Sequence, residues 1–240
     1  MGNKLKHLPT IAIICVRGGS IGLPRKNERL LAGKPLMAYT IEHALASGVC
    51  DSVIVSTEDE KLAEIAKEYG AEVPFMRPPE LAQDYVPIEP TLQHALTTYE
   101  SMTGRKFDIV VYLQTTDIFR NPSVIKECVE RLSENDTLES VFSAYQTHKN
   151  FWRKTKNGYK KLAPDLGYVA RQKRELIYRE DTGIALATRA YLIRGGKRVG
   201  TKVDIITTDD FRTSIDIHDE FSFWLAKKIM VEWNNLSTSK

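Results

Sequence analysis

Apolar positions in the first half of the chain follow two alternating rhythms. Ile11-Ala12-Ile13-Ile14-Cys15-Val16 is a short continuous apolar run, the pattern of a strand buried on both faces. Pro35 suits the first position of a helix, and Met37, Ile41, Ala44 and Leu45 then share one helical face before Gly48 stops it. Val53-Ile54-Val55 predicts a second strand. Leu62, Ile65, Ala66 and Tyr69 predict a second helix ending at Gly70, and Val73-Pro74-Phe75 a short third strand. A helix is expected from Pro90 to Tyr99, a buried strand from Ile109 to Leu113, a helix after Asn121-Pro122 and a strand from Ser140 to Ala144. Such alternation predicts an α/β fold, with a mostly parallel central sheet and helices on both faces.

From about 146 to 179 the rhythm breaks. This stretch is rich in Lys, Arg, Tyr and Trp and lacks apolar periodicity, so it is expected to be an inserted β-arm used in dimer contact. The sheet then resumes over Ile184–Ala187 and Val203–Ile206. A last helix is predicted with Phe221, Trp224, Leu225 and Ile229 on one face, and with Asp219 and Glu220 at its start, where negative charge suits the helix dipole.

The 240 residues suit one large domain, 1–240, carrying that arm. A net charge of +3 is too mild for a nucleic-acid binder. No apolar run is long enough to span a bilayer and no secretory signal pattern stands at the N-terminus. Cys15, Cys50 and Cys128 are scattered without metal or redox spacing, which points to reduced thiols in a cytoplasm.

The candidate chemistry lies just after the first strand, in Arg17-Gly18-Gly19-Ser20-Ile21-Gly22-Leu23-Pro24-Arg25-Lys26-Asn27. Ligands of open α/β sheets bind outside the carboxyl ends of the strands. There, glycines expose backbone N–H groups to phosphate oxygens, and Arg17, Arg25 and Lys26 would offset a triphosphate. The loop ends without the Gly-Lys-Ser/Thr of a Walker A motif, and Pro24 prevents the immediate helix of a dinucleotide loop. A basic surface loop using glycine only to turn is the competing interpretation.

In order along the chain, several segments resemble the acylneuraminate (CMP-sialic acid synthetase) cytidylyltransferase family. They are Arg17 to Asn27, Gly33-Lys34-Pro35-Leu36, Val55-Ser56-Thr57-Glu58-Asp59, Tyr69 to Phe75, Arg77-Pro78-Pro79-Glu80-Leu81-Ala82-Gln83-Asp84, Leu113-Gln114-Thr115-Thr116 with Arg120, Arg171-Gln172, Tyr178-Arg179 and Ser214-Ile215-Asp216-Ile217. The resemblance implies a Rossmann-like nucleotidyltransferase fold. It also implies a homodimer that serves cell-surface polysaccharide biosynthesis and transfers CMP from CTP to the anomeric hydroxyl of an acidic, sialic-acid-like sugar. That reaction depends on positioning, charge neutralisation and Mg²⁺.

By the same resemblance, Arg17, Lys26, Gly18, Gly19, Ser20, Arg25 and Asn27 would hold the nucleotide, and Asp84 would fix a loop near the base. Gln114 would hydrogen-bond the sugar, Arg171 and Arg179 would grip its carboxylate, and Asp216 with His218 would bind Mg²⁺. Five places depart from the family pattern: Ile21 replaces its loop lysine, Gln83 the serine before Asp84, His218 its second metal aspartate, and Thr115 to Phe119 its Pro-Thr-Ser-Pro-Leu stretch, while Glu180-Asp181-Thr182-Gly183 carries one extra residue. The alternatives are a nucleotidyltransferase of the same fold using another NTP or a sugar phosphate, and a non-catalytic nucleotide-binding relative. A glycosyltransferase is weaker, because Asp209-Asp210 lies late and lacks Asp-x-Asp spacing.

Overall fold

A computed structural model describes residues 7–162, 170, 173, 176–208 and 210–233, the last by its backbone alone. Five parallel strands and one strand of opposite direction build the main sheet. In chain order these are β1 (Thr10–Cys15), β4 (Ser52–Ser56), β5 (Ile109–Leu113), β6 (Ser140–Thr147), β10 (Leu186–Arg189) and β11 (Val203–Thr208). Their spatial order is β11-β6-β10-β5-β1-β4, and β9 (Ile177–Glu180) pairs with the far end of β6. Two small antiparallel pairs stand apart: β2 (Leu30–Leu31) with β3 (Lys34–Pro35), and β7 (Trp152–Thr155) with β8 (Gly158–Lys161).

The central strands are apolar because both faces are covered. On one face α1 (Leu36–Ala46), α2 (Glu60–Glu68) and α4 (Pro122–Glu134) pack against Ile14, Val55, Val111 and Val141. On the other, α3 (Ile88–Thr103) and α5 (Ala190–Arg194) cover Ile13, Ile54, Val110 and Leu186. Local sequence sets the helix starts: Asp59 accepts from Leu62 N, and Asn121 from Ser123 N with Pro122 at the first position. A third cluster matters most for the site. Leu23, Leu31, Leu36, Ile118, Ile217 and Ala226 of the last helix, α6 (Glu220–Lys228), bury together. Full burial of Leu23 contributes about 1.5–3 kcal/mol and fixes the middle of the glycine-rich loop. Gly22 closes that packing: a Cβ there would stand 2.3 Å from the His218 carbonyl oxygen.

Three expectations change. Val73-Pro74-Phe75 forms no strand; one bridge, Ile54 with Glu72, is all that joins it to the sheet, because Pro74 has no N–H for a ladder. β10 runs antiparallel to both neighbours. Among the described residues no crossover helix separates it from β6: the chain leaves β6, forms the β7–β8 hairpin and later pairs with β6 again as β9 and then β10. Between those two strands residues 181–185 bulge opposite Ser143, whose N–H donates to Ala185 and whose carbonyl accepts from Asp181. Finally, α6 turns a different face inward. Asp219 caps it by a reciprocal bond pair with Ser222, and this start directs Phe223, Ala226 and Met230 into the third cluster. Phe221 and Trp224 remain exposed, their rings stacked 5.9 Å apart.

The 146–179 excursion contains the exposed β7–β8 hairpin, with Trp152 and Tyr159 on the surface. Residues 163–169 of it, Arg171 among the expected sugar contacts, and Asp209 lie outside the described residues.

Candidate active site

β1, β4 and β5 end on one edge, and the loops leaving them enclose a cleft of about 350 Å³. Arg17, Gly19, Ser20, Lys26, Asn27, Asp84, Gln114 and His218 line it, together with Arg77 and Thr115. The glycine-rich loop is therefore one wall of a concavity and not merely a turn. Ile21, standing where the family pattern has lysine, is 78% exposed and outside the lining.

The loop's polar groups are differently employed from what the sequence suggested. Gly18 N–H donates to Glu58 Oε1 at 2.8 Å, so it is not free for a phosphate. Arg25, at φ 54°, is held by Glu28 and Asp59 outside the cleft. Asn27 is a latch, donating to the Arg17 carbonyl at 3.1 Å and accepting from Thr115 Oγ1 at 2.7 Å. Arg17 pairs with Asp84 at 2.5 Å, both half-exposed, which ties the loop after β1 to the segment before α3. Lys26 is a partly enclosed cation of the cleft. It donates to the Ile217 carbonyl at 3.0 Å, and burial, with Arg17 beside it, lowers its pKa against the pull of Asp216 and Asp117.

Sequence reasoning passed over Arg77. It is 4% exposed, donates from Nη2 to Val16 O at 2.7 Å and to Glu58, and keeps a buried Nε–H without partner among the described residues. Arg77 lines the cleft, and a buried donor without a partner is a rare feature that needs an explanation. Cys15, also on the wall, is no nucleophile: burial pushes its thiol up to about 12.

The opposite wall is organised by Arg120, 3% exposed. It donates to Gln114 O at 2.8 Å, Gly183 O at 2.7 Å, Thr40 Oγ1 at 3.2 Å and Ile184 O, while Gln114 N–H donates to Gly183 O at 2.9 Å. Gln114 Nε2 donates to Tyr112 Oη at 2.9 Å. Asp117 sits against the bulge. Burial first, then the charge of Asp216, pushes its carboxyl up to about 7, with Arg120 opposing. A Cβ on Gly183 would stand 2.2 Å from Asp117 Oδ2 and 2.8 Å from Gln114 Oε1. Gly183→Ala should therefore displace two side-chain ends and leave the backbone in place. Stability should change by less than about 1 kcal/mol while turnover falls about tenfold or more, as misplacement of reacting groups does. Thermal melting and initial rates on the same preparation check both halves.

Arg179 is not in the cleft. It forms a two-bonded pair with Asp181, each bond 2.8 Å, lies over the Tyr145 ring, and borders a second cavity of about 620 Å³. A free carboxylate grip by Arg179 is thus replaced by a neutralised pair. Asp216 and His218 do come together, Nε2 to Oδ2 at 2.6 Å. Asp216 Oδ1 is buried and has no partner among the described residues. Among the described residues no three His, Cys, Asp or Glu side chains gather as a metal cage, and no helix is long and apolar enough to cross a membrane.

A cleft of about 350 Å³ at the strand ends, with Lys26 in its wall and Asp216 acting on that lysine, has the place and charge of a ligand site of an open α/β fold. The family model for cytidylyltransferases matches residues 11–227, so the chain belongs to the cytidylyltransferase family and is a nucleotidyltransferase, as its resemblance implied. It is 33% identical over 226 residues to the CMP-N,N'-diacetyllegionaminic acid synthase of Legionella pneumophila, covering 92% of this chain and 95% of that one. To the N-acylneuraminate cytidylyltransferase of Escherichia coli O18:K1:H7 it is 32% identical, covering 93% of this chain and 52% of the relative, about half its length. In fold it matches a CMP:2-keto-3-deoxy-manno-octonic acid synthetase complexed with CTP, with TM-score 0.66, 15% identity and coverage of 94% and 99%.

Proposed function

We propose that the chain transfers CMP from CTP to the anomeric hydroxyl of a nonulosonic acid, with release of pyrophosphate. The observation that carries this is the partly enclosed Lys26 between the glycine-rich loop and the Asp216 segment, in a cleft whose other end holds the unsatisfied Arg77 donor. Legionaminic, pseudaminic and acylneuraminic acids, named for similar proteins, are the substrate class this reading extends to the chain.

In this scheme Gly19 and Ser20, with Arg17 and Lys26, surround the triphosphate. Arg17 exchanges Asp84 for phosphate oxygens, and the Arg77 Nε–H meets an acceptor atom of the cytosine. The sugar lies toward Gln114 and the bulge. Its anomeric oxygen forms a bond to the α-phosphorus as the bond to the pyrophosphate oxygen breaks, and the hydroxyl proton is released. Mg²⁺, when bound, neutralises phosphate charge and aligns the leaving group. The orphaned Asp216 Oδ1 fits it as a hard oxygen donor, and His218 on Oδ2 fixes that carboxylate's orientation.

Two further assignments belong to this reading. The exposed Trp152 and Tyr159 on the β7–β8 hairpin suit a homodimer contact, and free Cys15, Cys50 and Cys128 suit a cytoplasmic enzyme drawing on the CTP pool. The experiment is a pyrophosphate-release assay crossing CTP, UTP, GTP and ATP with acylneuraminic, legionaminic, pseudaminic and 3-deoxyoctulosonic acids. Release is expected with CTP and a nine-carbon acid, and only with Mg²⁺ present; no release from any pair would sink the proposal.

A further inference from the structure

The second cavity, the exposed ring pair of α6 and a buried phenol in the cleft wall are the features the function leaves over, and only the phenol is hydrogen-bonded to a residue of the site. We propose that Tyr112 is a positioning residue for the acceptor sugar: its hydroxyl holds the Gln114 amide in the place from which that amide meets the sugar. This deepens the proposed nonulosonic-acid site and rests on it.

Tyr112 and Gln114 stand two residues apart at the end of β5, and both line the cleft. Gln114 Nε2 donates to Tyr112 Oη at 2.9 Å. The other end of the amide is held more loosely, since Oε1 accepts from Thr116 Oγ1 at 3.5 Å, at the long limit for such a bond. Arg120 and Gly183 fix the Gln114 backbone, through its carbonyl and its N–H. They leave the side chain to Tyr112. A glutamine side chain is rich in rotamers, and a ligand that must order it binds more weakly than one that finds it ordered.

The phenol is itself firmly seated. It is 3% exposed, in the buried cluster with Ile13 and Leu186. The Arg198 guanidinium lies over its ring, 5.7 Å from the centroid, and donates to Thr182 Oγ1 in the bulge and to Glu89 Oε1 on α3 at 3.4 Å. Packing alone would be served by phenylalanine, and a buried hydroxyl is costly unless it is bonded. Tyr99, the other tyrosine of this cluster, uses its hydroxyl to join structural neighbours, Ser52 Oγ at 2.9 Å and Glu72 Oε2 at 2.8 Å. Among the described residues the Tyr112 hydroxyl has one hydrogen-bond partner, and that partner is Gln114. Burial pushes the phenol pKa up, so the group stays a neutral hydroxyl throughout the working pH range.

Tyr112→Phe removes the hydroxyl and keeps the ring beneath Arg198. Pyrophosphate release is followed on the whole chain with saturating CTP and whichever of legionaminic, pseudaminic or acylneuraminic acid the wild type turns over fastest. In Tyr112→Phe, kcat/KM for the sugar should fall about three- to tenfold, the effect of one neutral hydrogen bond. CTP affinity, measured by calorimetry without sugar, should not change. Gln114→Ala should lose at least as much, and the double variant no more than Gln114→Ala alone, because a residue acting through another then has nothing left to position. Losses that add in the double variant overturn the proposal, since Tyr112 would then act by itself. So does unchanged kcat/KM in Tyr112→Phe when Gln114→Ala loses it, or an equal fall in CTP affinity, which would mark a merely structural hydroxyl. Should Gln114→Ala leave kcat/KM for the sugar unchanged, the underlying placement of the sugar fails, and the proposal with it.

Discussion

Lys26→Met is expected to reduce turnover with CTP by about 10²–10³-fold, the loss seen when one preorganised donor to a developing charge is removed. Its position decides the size of the effect. Of the loop cations, Arg25 is consumed by Glu28 and Asp59, and Arg17 is half-exposed and paired with Asp84. Lys26 alone combines partial enclosure with a place between the loop and the Asp216 segment. Charge in an enclosed site is less screened, so each unit acts more strongly on a phosphate than at the surface. The same enclosure supplies a pH signature. Burial lowers the lysine below its ordinary 10.5. A lowered lysine loses its proton at lower pH than usual, so kcat/KM should decline on the alkaline side before the ordinary lysine value is reached. Lys26→Arg should move that limb to higher pH, because guanidinium stays charged. An alkaline limb unmoved by Lys26→Arg would assign the titration to another group.

The strands and most helices were legible because their burial is two-sided and their punctuation local: Gly48, Gly70 and Gly104 all take positive φ at helix ends. What depended on distant chain was not. The direction of β10 follows from how the excursion returns, which no alternation records. Phe221, Trp224 and Leu225 have the spacing of a buried face, yet the cap at Asp219 and the cluster around Ile217 choose Phe223 and Ala226 instead. Within the site, the placing of Lys26 and Gln114 followed from strand ends, whereas Arg77 lies in a proline-rich segment without periodicity. One miss carried a readable signal. A carboxylate two residues along the chain, Asp181, was within reach of the Arg179 guanidinium and offered that pairing.

Arg120→Ala should be the most damaging single change to stability, at roughly 3–5 kcal/mol, because it strips a buried four-bond clamp, opens a void in its place and leaves the Ile184 carbonyl without a donor among the described residues. Its guanidinium joins α1, through Thr40, to the end of β5 at Gln114 and to the bulge at Gly183 and Ile184. Water cannot take over these bonds, since the side chain is 3% exposed. Holding a guanidinium there is itself costly, as its pKa, pushed down by burial to about 10, attests. The position is thus a case in which replacing the residue hurts more than its net contribution would suggest. Lysine should not rescue it, because one ammonium cannot span four acceptors set in a plane by the fork. Urea unfolding followed by tryptophan fluorescence should show a lowered midpoint for both variants. In protein still folded, loosening of Gln114 and Gly183 should impair the acceptor side first: KM for the sugar should rise while CTP affinity, carried by the loop after β1, changes little. Equal loss of both affinities would mean that Arg120 holds the whole cleft together rather than its acceptor wall.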